Sequence, residues 1–177
     1  MLDLVKQIID YYLKYQREPT ERDLKITDES LYGKIWDVFV TIYHKWEVRW
    51  SAWNIKETQT NLIKETIRST IEAISADSRF KKLTLKEAED IKIRVDTVWE
   101  REILKDGDLK VLDPYKMWVI VIKRDYKKAC VILPNMSPKL MEWKDFIEAI
   151  KYKLQEKTFN EKDYIIYSIK TISENDF

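Results

Sequence analysis

An α+β fold is predicted: two β-hairpin–helix–strand units packed as two lobes of one domain, with a helix added at the N-terminus. Three observations predict it. Apolar residues recur at helical spacing in three long segments. Between these segments, short β-branched and aromatic runs alternate with polar residues at period two. The order hairpin, helix, strand then occurs twice, with no Ser/Gly-rich linker between the two passes.

The elements follow in order. Leu4, Val5, Ile8, Ile9 and Tyr12 place an amphipathic helix over 2–16, which Pro19 closes. Residues 19–33 are polar and irregular, and Gly33 is their last turn signal. Residues 35–43 (IWDVFVTIY) read as a strand, and 47–53 (EVRWSAW) as its hairpin partner. The turn falls on His44, Lys45 and Trp46, none of them a favoured turn residue. Ile63, Ile67, Ile71 and Ile74 form the stripe of a helix over 57–75. Thr84 with Glu87 makes a capping box for a short helix. Residues 91–99 alternate as a strand with one solvated face.

Asp106-Gly107-Asp108 and Asp113-Pro114 are turns, and the pattern then returns. Strands are read at 117–123 and 127–133 around a turn at Arg124-Asp125-Tyr126. A helix is read over 141–156, with the stripe Trp143, Phe146, Ile147, Ile150 and Leu154, and a closing strand over 163–172. The lobes are thus roughly 35–100 and 115–172 of one domain spanning 1–177.

Composition narrows the function classes. A chain of 177 residues with 45% hydrophobic residues can bury a core without staples. The 32 basic and 31 acidic side chains nearly cancel, so no broad phosphate track is available and nucleic acid is not an expected partner. No apolar run is long enough to cross a bilayer, and the charged start lacks a signal-peptide pattern. A cytoplasmic protein without membrane contact is expected. Few glycines and many Lys and Glu residues fit a heat-adapted protein, and an AT-rich genome would enrich Ile, Lys and Tyr in the same way.

One histidine and one cysteine leave too few ligands for a His/Cys zinc site, and no metal is expected. Gly33 and Gly107 are too far apart for a dinucleotide fingerprint or a phosphate-cradling loop, so no cofactor is expected. Asp106, Asp108 and Asp113 have the wrong spacing for a calcium loop. Cys130 lies in the apolar run 129–133 and reads as a buried small hydrophobe.

Three stretches resemble the AMMECR family, the A component of the AmmeMemoRadiSam set. Phe39-Val40-Thr41-Ile42, a turn and Val48-Arg49 match F-V-T-L, a turn and L-R. Asp77-Ser78-Arg79-Phe80, then Leu83 and an alternating strand, match D-P-R-F, P-L and a strand. Val131-Ile132-Leu133-Pro134 with Trp143 and Phe146 match L-L-L-P and a helix opened by Trp and Phe. Order and intervals agree over roughly 35–177. The family signature L-R-G-C-I-G falls on Val48-Arg49-Trp50-Ser51-Ala52-Trp53. Arg49 matches, Ser51 replaces the cysteine, and Trp50 and Trp53 replace both glycines. The resemblance implies association with Memo-like and radical-SAM proteins, and the departure implies that thiol chemistry is not carried over.

Strand parity puts Glu47, Arg49, Ser51 and Trp53 on one face and Val48, Trp50 and Ala52 on the other. Arg49, Ser51 and Trp53 are therefore the candidate ligand-binding residues: a guanidinium fork for an anion, a hydroxyl and a stacking indole. Ser51 is the one catalytic candidate, but a nucleophilic serine needs a base. The only histidine, His44, lies about 20 Å away along an extended strand. Asp77, Arg79 and Phe80 are expected to lock a turn. The reading that follows is a ligand-binding or protein-interaction module. The alternatives are an enzyme using Arg49 and Ser51 on a small anionic substrate, and a single-strand nucleic-acid binder using the Trp-rich hairpin.

Overall fold

The fold is α+β. The computed structural model describes residues 1–105, 109–111, 113, 117–132 and 142–177. The chain divides into two compact units, Met1–Val98 with Ile172–Phe177, and Trp99–Thr171.

The first unit holds α1 (Leu2–Tyr15), β1 (Asp37–His44), β2 (Glu47–Ala52), α2 (Leu62–Ala76), α3 (Leu85–Ala88) and the first part of β3 (Ile91–Ile103). β1 is central and pairs antiparallel with both β2 and β3. Its even-numbered residues Val38, Val40 and Ile42 join Trp50, Ala52, Ile93 and Val95 on the face that meets the helices. α1 supplies Val5, Ile9 and Leu13, and α2 supplies Leu62, Ala73 and Ile74. Leu4 and Ile8 of α1 also meet Ile63 and Ile67 of α2. Each Val, Leu or Ile among them stabilises the unit by about 1.5–3 kcal/mol when fully buried.

Local signals set the helix ends. Gln16 ends α1 in the left-handed region with φ 53°, before Pro19 is reached. α2 begins at Leu62, later than the apolar stripe suggested, because Asn61 caps it by accepting the Lys64 N–H. The preceding N–H groups of Thr58 and Gln59 go instead to the buried Glu65 carboxylate, both at 2.8 Å. The Thr84–Glu87 capping box is present at the start of α3. Within 19–33 two short 3-10 turns occur, Glu21–Asp23 and Glu29–Gly33.

The hairpin turn is tighter than expected. β1 runs on through His44, leaving only Lys45 and Trp46 as the loop, with φ of 53° and 67°. Two successive positive φ values are those of a type I′ turn, which matches the twist of a hairpin. Neither residue is Asn or Gly, and left-handed backbone costs an ordinary side chain about 1–2 kcal/mol.

In the second unit β4 (Trp118–Lys123) pairs antiparallel with β5 (Ala129–Ile132) and with β6 (Tyr164–Asn175). α4 (Trp143–Leu154) covers one face through Phe146, Ile150 and Leu154, which meet Val119, Val121, Cys130, Ile132 and Ile166. β3 and β6 both run past their apolar alternation, to Ile103 and Asn175. Backbone pairing carries such segments where packing does not, as in the Leu104 N–H donated to the Ile166 carbonyl at 2.8 Å. The expected turn at Asp106-Gly107-Asp108, Pro114, and the Leu133-Pro134 end of the third matching stretch lie outside the described residues.

Cys130 is buried opposite Val121, and burial pushes its thiol up to about 11, with Lys153 opposing only weakly. The reactive thiolate is then on the order of a hundredfold scarcer at neutral pH than in a free cysteine. Native protein is expected to react slowly with a disulfide-exchange reagent at pH 7, and stoichiometrically once denatured. Fast native labelling would show that the strand opens.

Candidate functional site

β2 lies at the end of its sheet, so one of its edges carries backbone groups without a strand partner. The segment from Asp77 to Lys81 covers part of that edge. The Asp77 carboxylate accepts the Ser51 N–H at 3.0 Å. It also accepts Arg79 Nε at 2.9 Å, Arg79 Nη2 at 2.7 Å and the Arg79 backbone N–H at 3.1 Å. Arg79 Nη2 further donates to Ser51 Oγ at 2.8 Å. On the other side of the strand, the buried Trp50 donates its indole N–H to the Lys81 carbonyl at 2.8 Å.

A bulge changes the parity of β2. Ile42 faces Trp50 and Tyr43 faces Val48, so Arg49 is an extra residue on β2. Up to the bulge, the even face is the buried one, with Trp50 and Ala52 in the core. Beyond it the faces exchange. Val48, expected beside Trp50, shares its face with Tyr43 and is 43% exposed, while Glu47 pairs with His44.

Arg49, set at the bulge, lies against side chains. Its guanidinium is 4.5 Å from the centre of the Phe80 ring and 5.0 Å from that of Trp50. Its Nη2 is 3.8 Å from Glu87 Oε1. Arg79 also lies over Phe80, at 5.2 Å. Trp53 is engaged elsewhere, stacked parallel on Phe39 at 6.1 Å between ring centres. The structure therefore joins Arg49, Ser51, Asp77, Arg79 and Phe80 through one loop, and gives Trp53 a separate partner.

The electrostatics follow the contacts. Burial opposes ionisation of Asp77, but the hydrogen bonds from Arg79 and from the Ser51 and Arg79 N–H groups outweigh it and hold the carboxyl below its ordinary value. Glu87 is lowered mainly by the Thr84 hydroxyl, with Arg49 contributing charge. Ser51 Oγ faces a guanidinium, which donates and cannot take a proton. His44 is nearer than an extended chain implies, because the hairpin sets Ser51 opposite Thr41. Three residues of strand still separate Thr41 from His44, about 10 Å. Among the described residues no three His, Cys, Asp or Glu side chains gather as a metal site requires, and no helix is long and apolar enough to cross a membrane.

Two further charged clusters were not singled out from the sequence. Arg68 of α2 meets Glu65, Glu72 and Asp37, and its Nη2 donates to Ser69 Oγ at 2.7 Å. The spacing Glu65, Arg68, Glu72 was a visible signal. Asp96 is fully buried and takes Arg94 Nε at 2.9 Å and the Ser173 hydroxyl. Burial raises Asp96 in spite of Arg94.

The AMMECR1 family model matches residues 2–171. The chain belongs to the AMMECR1 family. A search of the curated proteins found no match. Among solved structures, the crystal structure of the uncharacterized protein PH0010 from Pyrococcus horikoshii is similar, with a TM-score of 0.81 at 19% identity, covering 98% of this chain and 88% of that one. At that identity the likeness is one of fold. In this AMMECR1 chain the signature positions therefore have assigned surroundings: Arg49 at a bulge, Trp50 in the core, Ser51 latched, and Trp53 on Phe39.

Two substitutions separate the packing from the latch. Trp50→Ala removes a core indole and leaves the Lys81 carbonyl unpaired, and is expected to cost about 3–5 kcal/mol. Urea unfolding measures this, and a loss below about 1 kcal/mol would remove Trp50 from the core account. Asp77→Asn keeps the shape but loses the charge, at about 1–3 kcal/mol at neutral pH. Because the folded carboxyl is lowered, its stabilisation is complete above the unfolded value near pH 4 and fades as pH falls through the folded value. The difference between Asp77→Asn and the native protein should accordingly shrink on acidification. A difference that stays constant down to about pH 2 would mean that the charge is not what holds Ser51.

Proposed function

We propose that this chain is an AMMECR1-family binding module without nucleophilic chemistry, acting as one domain over residues 1–177, whose recognition surface is the loop 77–86 beside β2. One observation carries the reading: the hydroxyl of Ser51, at the position of the family's cysteine, receives a hydrogen bond from Arg79 and donates none to a base among the described residues. A serine hydroxyl attacks only when a neighbour removes its proton. The Asp77 carboxylate is occupied by the Ser51 backbone N–H and by Arg79.

The same loop has the character of an interface. Trp50 fixes the Lys81 carbonyl and Leu83 is buried, so the exposed Lys81 and Lys82 extend from an anchored backbone. Exposed Lys86 and Arg79 flank them, and Leu85 is 67% exposed. Exposed cations around an exposed leucine suit a partner surface that pairs carboxylates with an apolar contact. Memo-like and radical-SAM proteins, which the family resemblance implies, are the partners to test first.

The test has a chemical arm and a binding arm. A serine-directed fluorophosphonate is expected to leave Ser51 unlabelled, and Lys81→Glu with Lys82→Glu is expected to abolish association with the partner while leaving the fold intact by circular dichroism. Labelling that disappears in Ser51→Ala would instead establish an enzyme using Arg49 and Ser51 on an anionic substrate. Unchanged association in the charge-reversed variant would move the interface elsewhere.

A further inference from the structure

The second unit carries a hollow of about 510 Å³. Its size is that of a small-molecule site, typically ~300–1,000 Å³. Tyr164 and Ile166 of β6 belong to the core beneath α4, so the alternating Ile165 and Tyr167 project from the opposite face. With Ile103 of β3 they give the hollow an apolar wall. Lys105, Arg124 and Lys162 supply its cations, and Glu161 is the one carboxylate among the described residues that line it.

These cations differ from others in the chain. Lys123 and Lys128 are both paired with Glu156, and Lys170 with Glu100. Lys105, Arg124 and Lys162 have no acidic partner among the described residues. Arg124 is also oriented. Its backbone N–H donates to the Asp163 carbonyl at 2.9 Å, and its Nε donates to the Lys162 carbonyl at 2.7 Å. With Nε held, the guanidinium plane is fixed and both Nη groups remain for an incoming anion. A fork held in this way suits two oxygens of one tetrahedral or planar anion.

From this geometry we propose that the hollow binds a phosphate monoester bearing a flat apolar body. Among the described lining residues three cations against one carboxylate leave two positive charges, and a phosphate monoester carries roughly −1.5 to −2 at pH 7. Arg124 takes two phosphoryl oxygens, and Lys105 and Lys162 act as point charges beside it. The body of the ester lies on Ile103, Ile165 and the half-buried Tyr167, whose ring offers a stacking face. The site is separate from β2 and the loop 77–86, and stands or falls independently of the function proposed for them.

Calorimetric titration of the full chain with phenyl phosphate tests the proposal, with inorganic phosphate and phenol as comparators. Phenyl phosphate is expected to bind about tenfold more tightly than inorganic phosphate, and phenol not at all, because charge and apolar wall act together. Arg124→Lys retains the charge but loses the fork, and should weaken binding about tenfold. Lys105→Ala and Lys162→Ala should each weaken it severalfold and flatten its salt dependence. Lys81→Ala, in the other unit, should change nothing. Circular dichroism melts confirm that each variant folds, and the two lysine variants decide the matter if Arg124→Lys does not. No binding at about 10 mM phenyl phosphate, affinity unaltered in the folded site variants, or an equal loss in Lys81→Ala would each overturn the proposal.

Discussion

One carboxylate organises the first unit around its signature strand. Asp77 sits just past the end of α2, where the chain must leave the helix and pass the unpaired edge of β2. An edge strand in water is open to pairing with another chain. Here the Asp77 carboxylate receives a strand N–H, while the same group holds Arg79, and Arg79 holds the Ser51 hydroxyl. The bidentate contact explains why aspartate and arginine occur two residues apart: the side chains must close a turn locally while both reach the strand. Trp50 completes the closure from the core side by binding the Lys81 carbonyl. The loop is therefore held by a charge on one side of the strand and by an indole on the other.

Much of this was legible from residue order. The alternation at 91–99, the stripes of α1 and α2, the Thr84–Glu87 box and the Asp77–Arg79 turn all follow from local chemistry, and local chemistry is what a sequence displays. The misreadings share a cause. Each depended on one or two residues whose backbone or side chain resets what lies beside them. The bulge at Arg49 adds one residue and exchanges the faces of Glu47 and Val48. Asn61 and Glu65 take up the N–H groups of the segment before α2 and delay its start. The turn at Lys45 and Trp46 uses two left-handed residues that no turn preference favours. Nothing in residue type announces a bulge, because its stabilisation comes from contacts across space. For Arg49 these are Phe80, Trp50 and Glu87.

The same reasoning gives physical content to the altered signature. A glycine on a strand leaves a gap that a ligand or another backbone can enter. At Trp50 that gap is filled, and the indole is 1% exposed. At Trp53 the added ring lies flat on Phe39. A serine takes the place of a thiol, and its hydroxyl is met by a donor and not by an acceptor. The tryptophans fill the room to approach and the serine replaces a polarizable nucleophile, while Arg79, which donates to the Ser51 hydroxyl, agrees with the family stretch. Changing only the sulfur would leave the approach and the surroundings of the site in place. With both kinds of change made, β2 contributes an indole and a latched hydroxyl that hold the loop 77–86 against it.

The distribution of paired and unpaired cations carries the argument one step further. A lysine or arginine that already meets a carboxylate offers little to an incoming anion, because binding must first break or share that pair. Arg49, Arg68, Arg79 and Arg94 all lie against acidic side chains. They are framework residues first, and of these only Arg79 is more than half exposed. At the hollow of the second unit the reverse holds. The side-chain contact that fixes Arg124 among the described residues uses Nε and a neutral carbonyl, so orientation is gained without neutralising the charge. A guanidinium that is aimed without a carboxylate partner among the described residues is the costlier arrangement for a folded protein to keep, since Glu161 sets one negative charge against three cations lining the hollow. Its presence beside an apolar wall is most simply accounted for by an anion that arrives from solution.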